Sequence, residues 1–104
     1  MSVLLEFAMF PTDKGESVSP YVSRVIELIR DSGCDYQLTP MGTIIETDTL
    51  SQALALVEAA YATLEQAGCS RVYSSLNLDI RKGKDNRMQG KVASIRARIG
   101  DINS

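Results

Sequence analysis

The chain has 104 residues, 44% of them hydrophobic, and eleven Lys and Arg against thirteen Asp and Glu give a formal charge of −2. That length buries one core and predicts a single domain over residues 1–104, while the slight negative charge removes the electrostatic case for nucleic-acid or anionic-membrane binding. Histidine is absent, which excludes an imidazole base, a Ser-His pair and His-ligated zinc or haem.

Val3 to Phe10 alternate and predict a strand. Val3, Leu5, Phe7 and Met9 form a wholly apolar face, with Leu4, Glu6, Ala8 and Phe10 behind it. After the turn-rich segment from Pro11 to Glu16, Ser19 as N-cap and Pro20 at the first helical position predict a helix. Its apolar stripe is Tyr21, Val22, Val25, Ile26, Leu28 and Ile29, and Gly33 stops it. Strands are predicted at Asp35–Thr39 and Thr43–Thr47, joined by a tight reversal that Pro40 and Gly42 permit.

Asp48 or Thr49 then caps a second helix ending near Gly68, with Leu50, Leu54, Val57, Tyr61 and Leu64 as its buried stripe. Arg71 to Arg81 is the longest predicted strand. Val72, Ser74, Leu76, Leu78 and Ile80 share one face, and Tyr73, Ser75, Asn77, Asp79 and Arg81 the other. Met88, Val92, Ile95, Ile99 and Ile102 predict a terminal amphipathic helix that needs a surface of its own to cover.

The order β-α-β-β-α-β plus one helix predicts an α+β, ferredoxin-like sandwich with a four-stranded antiparallel sheet in the order 4-1-3-2. Cys34 and Cys69 then sit at opposite ends of the sheet, and no C-x-x-C pair is present. The expectation is two small buried thiols and no bridge between them. No apolar run approaches the ~20 residues of a membrane span. With no signal-like N-terminus either, the expected location is cytoplasmic.

Two helices on one side of such a sheet leave the other side open, with Leu4, Glu6, Ala8 and Phe10 beside Tyr73, Ser75, Asn77, Asp79 and Arg81. Either two subunits pack there or a small ligand does. Glu6 can balance a cation or accept from an amine, and Asn77 and Asp79 add directional partners. The alternative is a cross-strand Glu6–Arg81 bridge. Ser19 is committed to capping, which makes Ser17 the better ligand candidate at the start of the first helix. Thr43 and Glu46 can join the site, with their facing left open by the strand pattern. Lys82, Lys84, Arg87 and Lys91 lack P-loop spacing and read as a solvated loop and helix start. No catalytic residue, metal ligand or cofactor is assigned.

The strand ending in Pro11, the runs Ser17-Val18-Ser19 and Tyr21-Val22, Ser32-Gly33, Pro40-Met41-Gly42-Thr43 through Glu46, Gly68, Arg71-Val72, Asp79-Ile80-Arg81 and Lys91-Val92 occur in an order and spacing that resembles one family. It is that of the small thiamine-binding proteins of ferredoxin-like fold, and the resemblance spans nearly the whole chain. It implies a cytoplasmic homo-oligomer, commonly a homotetramer built as a dimer of dimers, that binds thiamine or its hydroxymethylpyrimidine portion and catalyses nothing. Thiamine suits the residues present. Its thiazolium cation fits Glu6 or Asp79 near Phe10 or Tyr73, and its aminopyrimidine fits Asn77, Asp79, Ser17 or Thr43. The competing expectation is a structural or regulatory homo-oligomer with no small-molecule ligand. Acylphosphatase chemistry is disfavoured because the loop after the first strand lacks arginine. An RNA-binding module is disfavoured by charge and scattered aromatics.

Overall fold

A computed structural model describes all of residues 1–104. In chain order its elements are β1 (Ser2–Pro11), α1 (Ser19–Asp31), β2 (Asp35–Thr39), β3 (Gly42–Thr47), α2 (Leu50–Gln66), β4 (Val72–Arg81) and α3 (Arg87–Ile99). The strands form one antiparallel sheet ordered β2-β3-β1-β4, which is 4-1-3-2 read from the other edge. Both cysteines are free.

The alternation of β1 decides which side is the core. Val3, Leu5, Phe7 and Met9 are buried with Ile45 of β3 against Val25 and Ile29 of α1 and Ala53, Ala60 and Leu64 of α2. Fully burying Leu5, Ile29, Ile45 or Leu64 contributes about 1.5–3 kcal/mol each. Of the predicted stripe on α2, Leu64 is buried and Leu50 and Val57 pack against the core, whereas Leu54 and Tyr61 are exposed and Ala53 and Ala60 take the buried positions beside them. Thr49 caps α2 as expected, its side chain accepting from the Gln52 amide while Gln52 Oε1 accepts from the Thr49 amide. The expected cap on α1 is absent. Ser19 is already inside the helix, Val18 occupies the N-cap position without a side-chain bond, and Pro20 falls in the first turn.

Two further features shape the surface. β4 is an edge strand, and Leu76, Leu78 and Ile80, paired with Phe7, Leu5 and Val3 on the helix side, remain 38%, 41% and 47% exposed. The helices pack over the other strands, and of β4 only Val72 packs against the core. α3 touches the sheet mainly through its first turn, with Ile95 and Ile99 exposed and Ile102 beyond its end. The radius of gyration is consequently 15.0 Å, against roughly 13 Å for a compact domain of about this length. No helix is long and apolar enough to cross a membrane.

Candidate functional site

Strand register stacks the open face in rows about 6.7 Å apart. Phe10 pairs with Tyr73, then Ala8 with Ser75, then Glu6 with Asn77, then Leu4 with Asp79, then Ser2 with Arg81. β2 and β3 extend two of these rows, placing Gln37 and Ile44 beside Glu6 and Asp35 and Glu46 beside Leu4. Phe10 and Tyr73 form a tilted aromatic pair with ring centroids 5.6 Å apart. Two rows on, Asn77 Nδ2 donates to Glu6 Oε1 at 3.0 Å. Between these pairs the floor is made of small residues: Ala8, Ser75 and Gly42, whose built Cβ would lie 3.8 Å from that of Ala8.

Beside that floor the sheet is notched. β1 pairs with β4 as far as Pro11 but with β3 only as far as Phe7. The space left is closed on one side by Val22 and Ile26 of α1 and at its end by the β2–β3 turn. It forms a cavity of about 320 Å³, mostly apolar, that also meets Ala8, Phe10, Met41 and Thr43. Thr39 stitches the turn, its hydroxyl donating to the Gly42 carbonyl at 2.8 Å and accepting from the Met41 amide at 3.2 Å. Glycine suits position 42, where φ is +157° and a Cβ would lie 3.0 Å from the Phe7 carbonyl oxygen, a contact that would press on the β1 backbone. Met41, 90% exposed, stands at the rim.

At the other end, α3 is clamped to the sheet. Glu46 accepts from the Arg87 and Met88 amides, which caps the helix with a carboxylate. Burial pushes the Glu46 pKa up, but those two amides, the Ser2 hydroxyl and the Arg87 charge outweigh it and leave the value lowered. Arg87 is only 3% exposed. Its guanidinium donates to Ser2 Oγ at 2.7 Å, to the Ser2 carbonyl at 2.9 Å and to the Asp79 carbonyl, and pairs with Asp79 Oδ2 at 2.9 Å. Lys91 lies 3.6 Å from the same carboxylate oxygen. The Arg87 hydrogen bond, more than anything else, holds the Asp79 pKa down.

The structure thus divides the residues singled out in the sequence. Glu6, Asn77 and Phe10 share the open face, and Glu6 meets Asn77 rather than Arg81. Asp79 is on that face too, but committed to α3. Thr43 pairs with Phe7 and is buried on the helix side, reaching the same neighbourhood only through the notch. Ser17 is exposed in the loop before α1. That loop is tied to the start of β4 by Asp13, which accepts from the Ser70 amide and hydroxyl. Arg87 departs from its expected solvated setting, because its guanidinium fills the space under the first turn of α3. The notch was not foreseen either. Its only sequence signal is that the predicted first strand, Val3 to Phe10, is longer than Thr43–Thr47, so one must outrun the other.

Comparisons with known proteins agree on one relationship. A family model described as thiamine-binding protein matches residues 5–96. A UPF0045 protein of Mycobacterium bovis is 37% identical over 95 residues, covering 91% of this chain and 92% of its own. One from Methanothermobacter thermautotrophicus is 34% identical over 83 residues, covering 80% and 84%. Among solved structures, a hypothetical protein of Methanocaldococcus jannaschii superposes with a TM-score of 0.79 at 35% identity, over 90% of this chain and 95% of that one. A Thermotoga maritima protein proposed to serve thiamine biosynthesis or salvage gives 0.79 at 23% identity, over 92% of this chain and 100% of that one, a likeness of fold alone.

Proposed function

From the premise that this chain belongs to the thiamine-binding protein family, we propose that it binds thiamine or its hydroxymethylpyrimidine portion in the cytoplasm without catalysing a reaction. The observation that carries this reading is the small-residue floor of Gly42, Ala8 and Ser75, flanked by Phe10 and Tyr73 at one end and by Glu6 and Asn77 at the other. A flat heteroaromatic ring lies on such a floor without steric conflict. Glu6 balances a thiazolium charge and Asn77 offers a donor and an acceptor at one end of the floor, while the aromatic pair at the other end offers ring faces to the aminopyrimidine; Thr43, buried on the helix side, borders the floor only through the notch. Asp79 contributes by positioning, since its carboxylate holds α3. Ser17 is left as a contact from the loop.

Homo-oligomerisation is part of the proposal. Two unsatisfied surfaces suit a dimer of dimers: the semi-polar open face, and the ten-residue β4 edge with Leu76, Leu78 and Ile80 exposed. Those three side chains also favour a second reading, an assembly whose surfaces serve association alone. Isothermal titration with thiamine and with hydroxymethylpyrimidine separates the two. Saturable heat with thiamine that weakens in Glu6→Gln supports binding, and no heat at millimolar ligand with the oligomer intact supports the second reading.

A further inference from the structure

We propose that the groove between the end of β4 and the first turns of α3 is a binding site for a small phosphorylated anion, separate from the thiamine site and independent of it. The groove, about 570 Å³ and open to solvent, is lined by Arg81, Lys84, Arg87, Gly90, Lys91, Ser94 and Ile95, a volume that suits a small ligand.

Charge is the first argument. Residues 81–98 hold seven of the eleven Lys and Arg residues and one of the thirteen acids, so a chain of net charge −2 carries a strongly positive C-terminal segment. The acid within that segment, Asp85, pairs outward with the N-terminal ammonium. Asp79 is shared by Arg87 and Lys91 and neutralises one of them, while Arg81 and Lys84 enter none of the ion pairs. Glu46, at the same helix start, offsets a second, so a surplus of two positive charges, on Arg81 and Lys84, lines one concavity, which a doubly charged phosphate group matches better than a single carboxylate.

Preorganisation is the second. Arg87 is anchored by Ser2 and the backbone of Asp79, which fixes one cation at the groove wall before any ligand arrives. Gly90 is the third. It lies in the second turn of α3 without a positive φ, and a Cβ there would meet nothing within 4 Å. Glycine in a helix interior is destabilising relative to alanine, and neither packing nor backbone geometry asks for it here. What it does is leave the helix backbone open to close approach from the groove. The remainder of the chain carries twelve acids against four bases, which favours a compact anion over a nucleic-acid strand.

Equilibrium dialysis of the full chain against radiolabelled pyrophosphate, at constant chloride, tests this. Saturable binding of one equivalent per chain is expected. Arg81→Gln combined with Lys84→Gln should weaken it about tenfold or more, because each removes a charge-assisted contact, and Gly90→Glu should abolish it. Lys14→Gln combined with Arg24→Gln, which removes two charges elsewhere, should leave it unchanged, and an unaltered thermal midpoint certifies each fold. Three results overturn the assignment: no saturable binding at millimolar pyrophosphate, equal weakening in the Lys14 and Arg24 variant, or tighter binding of a short single-stranded oligonucleotide. Displacement by unphosphorylated thiamine overturns it as well, by placing the anion in the vitamin site. Thiamine binding and pyrophosphate binding can thus fail separately.

Discussion

Replacing Arg87 with methionine removes the group that joins α3, β1 and β4. Arg87 and Ser2 are 3% and 2% exposed, so the Ser2 hydroxyl and carbonyl lose their partner in a place water reaches poorly. Each hydrogen bond to a charged group contributes about 1.5–3 kcal/mol, but these share one guanidinium and do not add. Removing one partner of a buried ionic network costs about 3–5 kcal/mol. The Asp79 side chain is 58% exposed and regains hydration, which places the expected loss at the low end, about 3 kcal/mol. For a domain of this size that corresponds to a fall in thermal midpoint of roughly 12–24 °C. Urea unfolding at fixed protein concentration measures the free energy, and amide exchange reports where it is lost. The α3 amides should exchange nearly as fast as those of an isolated helix, with Arg87→Lys intermediate because it keeps charge without the planar fork. A loss below about 1 kcal/mol with α3 still protected would refute the clamp.

Acid should release α3 by the same route. Glu46 and Asp79 both have folded-state pKa values below their ordinary 4.5 and 3.8. The stabilisation is therefore complete above those values and lost as pH falls through the lower, folded ones. Exchange rates of α3 amides should rise ahead of those of β1 as pH is lowered below about 4.5, and simultaneous loss would contradict the local account. Asn77→Ala should weaken thiamine binding about twofold to tenfold through loss of one neutral hydrogen bond while sparing assembly, read by calorimetry and sedimentation; dissociation of the oligomer would favour the structural reading instead. Glu6→Gln should cost about fivefold if the site stays open to water and up to about a thousandfold if a second copy covers it, since a charge pair at 4 Å is worth ~1 kcal/mol in water and ~4 kcal/mol at an effective dielectric constant of 20. Leu78→Lys should shift the sedimentation distribution toward a smaller species without unfolding the chain; an unchanged distribution would remove β4 from the interface.

The sheet and its order were legible because β1 and β4 alternate strictly and because Pro40 and Gly42 permit one tight reversal. What the sequence conceals depends on neighbours. Leu54 and Tyr61 satisfy helical periodicity as well as Ala53 and Ala60 do, but the orientation of α2 on the sheet buries the alanines and leaves the larger pair exposed. Leu76, Leu78 and Ile80 share the helix side with the buried face of β1, yet at the sheet edge they remain exposed, which alternation alone does not reveal. Open-face placement of Glu6, Asn77 and Phe10 followed from strand parity. The facing of Thr43 did not, because the number of residues in the turn fixes the parity of β3 relative to β1, and a shift of one reverses every side chain. Arg87 was misread for a chemical reason: in a run of Lys and Arg nothing local distinguishes the one whose partners, Ser2, Glu46 and Asp79, come from three strands.

The most direct measurement is a titration of isotope-labelled protein with thiamine, followed residue by residue in the amide spectrum. Binding on the floor predicts saturable shifts of the Asn77 side-chain amide and of the Ala8, Gly42 and Ser75 backbone amides, with the α2 amides unmoved. Shifts confined to Val22, Ile26 and Leu38 with Asn77 and Ser75 unchanged would move the ligand behind the sheet and contradict the account.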